Sequence, residues 1–178
     1  MRIRNFRLED ISALASIQRV AAEVDKTVVV SEPEFAIWIS SIEVDATSNA
    51  FVITDDDDEI NTWGQAGTLE GIEGEIVGYT VLQMRQDQGA YHLYCQGTVH
   101  PQHRRRNAGR ALIICALNRA RSMAFDVEYE AEQRGVPIYF EALFPAHDPS
   151  SACLAAKCEM QKADVPVSDG LWLYQQVL

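Results

Sequence analysis

Apolar residues recur at helical spacing through Ile11, Leu14, Ile17, Val20, Ala21 and Val24, behind the acids Glu9 and Asp10. That rhythm predicts an amphipathic helix, and the alternating Arg2 to Phe6 before it predicts a short strand. Phe35, Ile37, Trp38 and Ile42 repeat the helical spacing after Pro33, so a second helix follows, with proline in its first turn where a missing N–H does no harm. The pattern then shortens. Phe51 to Thr54, Glu75 to Met84 and Ala90 to Val99 read as strands, the last two joined by a polar turn into an antiparallel meander. Between the first two, Asp55 to Gly74 carries too many acids and glycines for core and is expected to be a long, mobile hairpin loop.

Beyond Pro101 helical spacing returns from about Gly109 to Met123, with Leu112, Ile113, Ala116, Leu117 and Ala120 on the apolar side. Pro137 to Leu143 predicts a buried strand, Asp148 to Met160 a helix opened by Asp-Pro-Ser-Ser, and Leu171 to Leu178 a last strand. The order β α α β β β α β α (β) β predicts one α/β domain over residues 1–178, with a mixed, mostly antiparallel sheet of six to seven strands and about four helices. No repeat or linker interrupts it.

The 178-residue length allows burial of roughly two thirds of the unfolded chain's surface, so neither a metal nor disulfides are needed for stability. Cys95, Cys115, Cys153 and Cys158 lack CxxC spacing and are expected to be free thiols. Acids at 55–59 lack the spacing and closing glutamate of a calcium loop, and no metal is assigned. With no signal-type apolar run at the start and no membrane-length stretch, the expected location is cytoplasmic.

A net charge of −11 repels nucleic acid and anionic lipid, so neither is an expected partner. Yet six of the 15 Lys and Arg residues (Arg104, Arg105, Arg106, Arg110, Arg119 and Arg121) fall within a short span. An arginine knot in an acidic chain points to a small anionic ligand. The run from Val99 through Arg104, Arg105, Arg106, Asn107, Ala108, Gly109 and Arg110 joins a strand to a helix. Main-chain amides in such a curl converge on phosphate oxygens with the unpaired donors of the helix N-terminus. Alternatively, the arginines form a solvated surface run. Neither GxGxxG nor GxxxxGK[ST] occurs, which excludes the Rossmann and Walker readings.

At this turn the chain resembles the GNAT acyltransferase superfamily, whose signature Q/R-x-x-G-x-G/A is met by Arg104-x-x-Asn107-x-Gly109. Asparagine replaces the first glycine and can still hold a left-handed backbone. The resemblance spans nearly the whole chain, including the opening strand and helix and the late helix at Asp148-Pro-Ser-Ser151. It implies that acetyl-CoA is used, that Val99 pairs with the pantetheine arm, and that the amides of Arg104 to Arg110 hold the pyrophosphate, with Asp148 and Ser151 nearby. It further implies acetyl transfer to a primary amine of a small molecule or peptide, by direct attack within a ternary complex. A homodimer is left open. The acidic balance hints at a cationic acceptor.

An attacking amine must be neutral, so a proton acceptor is needed. Glu141, in an apolar strand, is the first candidate as base; it could equally be an edge-strand acid facing solvent. His92 and Tyr94 share one face of the strand leading to Val99 and could also reach the acceptor, although a buried tyrosine often satisfies only its own hydrogen bond. The family's tyrosine acid in the last helix falls on Ala155, and its absence leaves a second function in view, a non-catalytic acyl-CoA sensor or the degenerate half of a tandem acyltransferase.

Overall fold

In the computed structural model, which describes residues 1–41, 45–55, 74–163 and 170–178, a seven-stranded sheet separates two helical layers. Its strands are β1 (Arg2–Asn5), β2 (Ala50–Asp55), β3 (Glu75–Gln86), β4 (Tyr91–Val99), β5 (Ile138–Pro145), β6 (Gln161–Lys162) and β7 (Leu171–Val177), in the spatial order β1-β2-β3-β4-β5-β7-β6. Only β4 and β5 run parallel. A parallel pair needs a long crossover, supplied here by the helix between them.

The helices are α1 (Ile11–Asp25), α2 (Glu32–Ile39), the single turn α3 (Ala46–Asn49), α4 (Ala108–Arg134) and α5 (Pro149–Lys157). Alternation on β3 divides the core. Tyr79 and Val81 pack under α1 and α2 with Leu14, Ile17, Phe35 and Ile39. Leu82 points the other way and joins Leu93, Phe140 and Ala142 against Ile113, Ala116, Leu117 and Ala120 of α4. Ser31 and Glu34 cap α2 reciprocally, the arrangement that fixes a helix start three residues ahead of a glutamate.

α4 is longer than the apolar pattern predicts, running to Arg134 rather than Met123. Buried Ala124 and Ala131 continue the inner stripe, while Glu128, Glu130, Glu132 and Gln133 are good helix formers on the outside. It ends where Gly135 takes a left-handed backbone, φ 65°, and donates to Ala131 and Glu132. All four cysteines are free, with Cys95 and Cys158 buried, Cys115 partly so and Cys153 exposed. The expected loop at 55–74 falls, from 56 to 73, outside the described residues. Among the described residues, no helix is long and apolar enough to cross a membrane, and no cluster of His, Cys, Asp and Glu could hold a metal ion.

Candidate active site

β4 and β5 pair only from Tyr91↔Ile138 to Cys95↔Ala142. Beyond that point they part. Gln96 to Val99 stays bound to β3, and Leu143 to Pro145 stays bound to β7, so the sheet forks and the facing edges of both prongs keep main-chain polar groups without a strand partner. A cleft of about 1120 Å³ fills the fork, somewhat larger than the roughly 300–1,000 Å³ typical of small-molecule sites. It continues from the start of α4 to the connection between α1 and α2.

At Gly97, on the β4 prong, β3 and β4 come unusually close. A Cβ there would lie 2.2 Å from the Tyr79 carbonyl oxygen and 2.7 Å from the Thr80 Cα, both main-chain atoms of β3. Only glycine permits this approach.

At the arginine end the chain leaves β4 through one 3₁₀ turn, Pro101–His103, and then curls through two left-handed residues, Arg105 (φ 66°) and Asn107 (φ 64°). Asn107 thus holds the left-handed backbone expected of it and stands at the N-cap of α4, making no side-chain cap bond. Ala111 N–H is the first to reach back into the helix, bonding to the Asn107 carbonyl. By helix geometry the amides of Ala108, Gly109 and Arg110 have no intrahelical acceptor, and all three residues line the cleft. That is the donor array an anion requires.

The individual arginines divide their roles. Arg105 and Arg110 line the cleft. Arg104 also borders it, but its guanidinium is engaged in a two-bond pair with Asp25 at the end of α1, at 2.7 Å each, and donates to the Val99 carbonyl at 3.0 Å. It ties the turn to α1. Arg106 does not line the cleft; it is exposed and pairs with Asp55 at 3.2 Å, an acid shared with His103. Residue type alone gave no means of separating these outcomes, because the local curl decides which way each side chain leaves.

Val99, Asp148 and Ser151 also line the cleft. Asp148 caps α5 by accepting from Ser150 N–H, and the Ser151 hydroxyl donates to the Pro145 carbonyl. Burial would raise the Asp148 carboxyl, but bonds from Ser150 and the nearby Arg105 and Arg104 charges outweigh it and hold the group below its ordinary value. Both side chains shape the prong and the helix start.

Glu141, Tyr94 and His92 come together on one face of the sheet, the first two one step behind the fork and His92 three, and none of them lines the cleft wall. Glu141 is 2% exposed; it lies on an internal strand between β4 and β7, which removes the reading of a solvent-facing edge acid. Its Oε1 is 3.1 Å from His92 Nδ1, whose ring stacks on Tyr94, and its Oε2 makes no hydrogen bond of good geometry. Burial and the adjacent Glu141 charge raise the Tyr94 phenol, with Arg85 opposing.

Several cleft residues carry no motif and escaped the sequence reading: Asp25, Thr80 and Cys95 at the base, and Val28, Trp38 and Tyr79 at the far end. Helical spacing marked Trp38 as core; it is only half-buried and meets Phe35 edge-on at 5.5 Å. Thr80 Oγ1 and Cys95 Sγ are 3.1 Å apart, and burial pushes the thiol up to about 11, which keeps it protonated. Ala155 is fully buried within the α4–α5 layer.

The sequence profile of the Acetyltransferase (GNAT) family matches residues 32–143. Among solved structures, the chain is similar to the ribosomal-protein-alanine N-acetyltransferase of Brucella melitensis, at 17% identity and a TM-score of 0.65 with both chains fully covered. It is also similar to the ribosomal-protein-S18-alanine N-acetyltransferase of Escherichia coli, at 18% identity and a TM-score of 0.59, covering 99% of this chain and 92% of that one. The yncA protein of Salmonella typhimurium, solved with its cofactor acetyl-CoA, aligns at 15% identity and a TM-score of 0.62, covering 99% and 92%. No curated protein matches. At these identities the likeness is one of fold. With the profile covering more than half of the sequence, the chain belongs to the GNAT acetyltransferase family.

Proposed function

We propose that this chain is an N-acyltransferase that moves the acyl group of a coenzyme A thioester, most simply acetyl-CoA, to a primary amine of a small molecule or peptide. The observation that carries this reading is the forked sheet, whose cleft joins an amide-rich, arginine-flanked turn to a separate apolar end, with room for two ligands. The residues suited to the pyrophosphate are the amides of Ala108 to Arg110 with the Arg105 and Arg110 side chains, and the open edge from Gln96 to Val99 suits an extended amide-bearing arm. A bound thioester supplies an acyl carbon open to attack by a neutral amine. The Brucella and Escherichia coli proteins are named for ribosomal-protein alanine, which keeps a peptide acceptor in view.

The chain's own part is to align the two ligands, exclude water and accept one proton. Glu141 is assigned as the proton acceptor, because it is buried beside the fork, its Oε2 has no hydrogen bond, and its Oε1 lies 3.1 Å from His92 Nδ1. Tyr94, whose phenol stays protonated, can donate to a developing negative charge. Tyr94 and Glu141 stand one residue behind the fork and His92 three, so transfer to them runs through a water or a small side-chain shift.

The test is calorimetric titration of acetyl-CoA and desulfo-coenzyme A into wild type and Gly109→Trp, followed by thiol release with an amine panel. Binding to wild type alone, with release, supports the reading. No binding by folded wild type overturns it. Buried Ala155, in place of a phenol, favours a second reading as an acyl-CoA sensor, which would bind both ligands and release no thiol with any amine.

A further inference from the structure

Where the cleft meets the connection between α1 and α2, it is walled by Val28, Val29 and Val30, by Phe35 and Trp38 of α2, and by Tyr79 of β3. Val28 and Val29 are 62% and 48% exposed and line the cleft together with Val30, Phe35, Trp38 and Tyr79. Single exposed valines need no explanation, but a contiguous patch at a cleft mouth marks a binding surface.

This wall is built rather than loose. Lys26 closes α1 in a left-handed conformation, φ 55°, which turns the chain back across the cleft. The Gln18 amide then holds the segment from both sides, donating to the Val28 carbonyl at 2.9 Å and accepting from Val30 N–H at 3.1 Å. Downstream, the Ser31–Glu34 capping box fixes the start of α2. Preorganised apolar walls bind ligands without the cost of ordering a loop.

Charge in the cleft is polarised. Its four cationic residues, Arg104, Arg105, Arg110 and Lys157, belong to the turn, α4 or α5, and none to the apolar wall. Of its three carboxylates, Asp25 is committed to Arg104 and Asp148 to Ser150. Glu34 stands at the apolar end and spends only Oε2 on Ser31, so Oε1 has no partner among the described residues. The Ser31 hydroxyl and amide hold this carboxyl below its ordinary value, so it is ionised at neutral pH.

Building on the acyltransferase reading, we propose that this end takes a primary amine attached to a large apolar group, alkyl or aryl, with Val28, Val29 and Trp38 against the apolar body and Glu34 attracting the ammonium. A free amine and a polypeptide beginning with an apolar residue share that chemistry. Polyamines and amino sugars would satisfy Glu34 but leave the valines against water, which gives the discrimination its sign.

The experiment uses the full chain with 2-phenylethylamine, leucinamide and a leucine-initiated tetrapeptide against spermidine and glucosamine. Binding is read by tryptophan fluorescence in a Trp63→Phe, Trp172→Phe background, where Trp38 alone reports, and KM is read by thiol release from acetyl-CoA. The apolar amines should bind at least about tenfold tighter than the polar ones, and Val28→Asn with Val29→Asn should raise their KM about tenfold with kcat within about twofold. Both valines are largely exposed, so the variant keeps its Tm, and Glu34→Gln should raise KM about threefold with loss of its salt dependence. Preference for the tetrapeptide identifies a polypeptide end as the source, and preference for leucinamide identifies a free amine. Preference for spermidine or glucosamine, or an unchanged KM in the valine variant, overturns the proposal while leaving acyl transfer standing. Tight binding of 2-phenylethylamine that the valine variant weakens, with no thiol released by any amine, upholds this wall and removes acyl transfer instead.

Discussion

Replacing Gly97 by alanine tests whether the fork depends on close strand contact. The new Cβ would sit 2.2 Å from the Tyr79 carbonyl oxygen and 2.7 Å from the Thr80 Cα, so β3 and β4 must separate by about 1 Å to reach ordinary contact. Neither obstacle is a flexible side-chain end; both are main chain in the middle of the sheet. Overpacking of this kind costs about 2–3 kcal/mol, which for a chain of this size lowers Tm by about 5–10 °C. Gly109→Ala is the control, since its Cβ would meet Leu154 at 3.5 Å and Val99 at 3.9 Å, both ordinary contacts. It lies inside α4, where alanine should match glycine or improve on it by up to about 1 kcal/mol. Urea unfolding of the two variants beside wild type decides the matter. A Gly97→Ala protein within about 0.5 kcal/mol of wild type would refute the argument from strand approach.

Asp25→Asn removes the charge that anchors Arg104, and because a quarter of the Arg104 side chain meets solvent the loss should be moderate, about 1–2 kcal/mol in urea unfolding. Calorimetry should also show weaker acetyl-CoA binding, because the freed guanidinium no longer braces the turn; unchanged affinity would remove Arg104 from that role. Asp10 is enclosed and accepts two bonds from Arg4 and one from Arg7 N–H. Burial would raise its carboxyl, but those bonds and the Arg4 and Arg7 charges prevail and lower it. Its stabilisation is therefore present above the ordinary value of 3.8 and disappears as pH falls through the lower folded value, so the Tm gap between wild type and Asp10→Asn should close below pH 3.8. A gap that stays constant from pH 7 to pH 2.5, about one unit below the ordinary value, rules this out. Glu141→Gln should reduce kcat by about 10²–10⁴-fold with acetyl-CoA affinity intact, and an unaltered kcat places the proton acceptor elsewhere.

The strand and helix order was readable because alternation and helical spacing are strong where one face is buried, as in β3, β4 and α1. The end of α4 was not readable, because Asp126 to Arg134 is mostly polar and only Val127 and Ala131 continue the inner stripe. The turn was legible as a candidate site: a strand exit, arginines and Asn107-x-Gly109 before apolar spacing suit a curl of main-chain amides at a helix start. Which arginine enters the cleft was not legible, since Arg104 is committed to Asp25, 79 residues away in sequence. The far wall was illegible for a different reason. Val28 and Val29 read like any apolar pair, and only the Gln18 bonds and the exposure of the two side chains make them a surface.

Ala155 and Glu141 bear on the same question from opposite sides of the fork. Helix α5 offers no proton donor at position 155, and the site is not vacant space that a water could occupy: the alanine is fully buried against α4 and the sheet. On the sheet, His92, Tyr94 and Glu141 lie on one face of β4 and β5, and Thr80 of β3 and Cys95 of β4 lie on the other. The Cys95 thiol is held protonated by burial and is committed to Thr80, so it is a poor base. The proposed proton acceptor is Glu141, whose parallel register with Tyr94 carries both groups to one residue from where the strands separate. If the proposed acyl transfer holds, the amine's proton goes to this strand cluster, and the departing thiolate, a good leaving group, can take its proton from water.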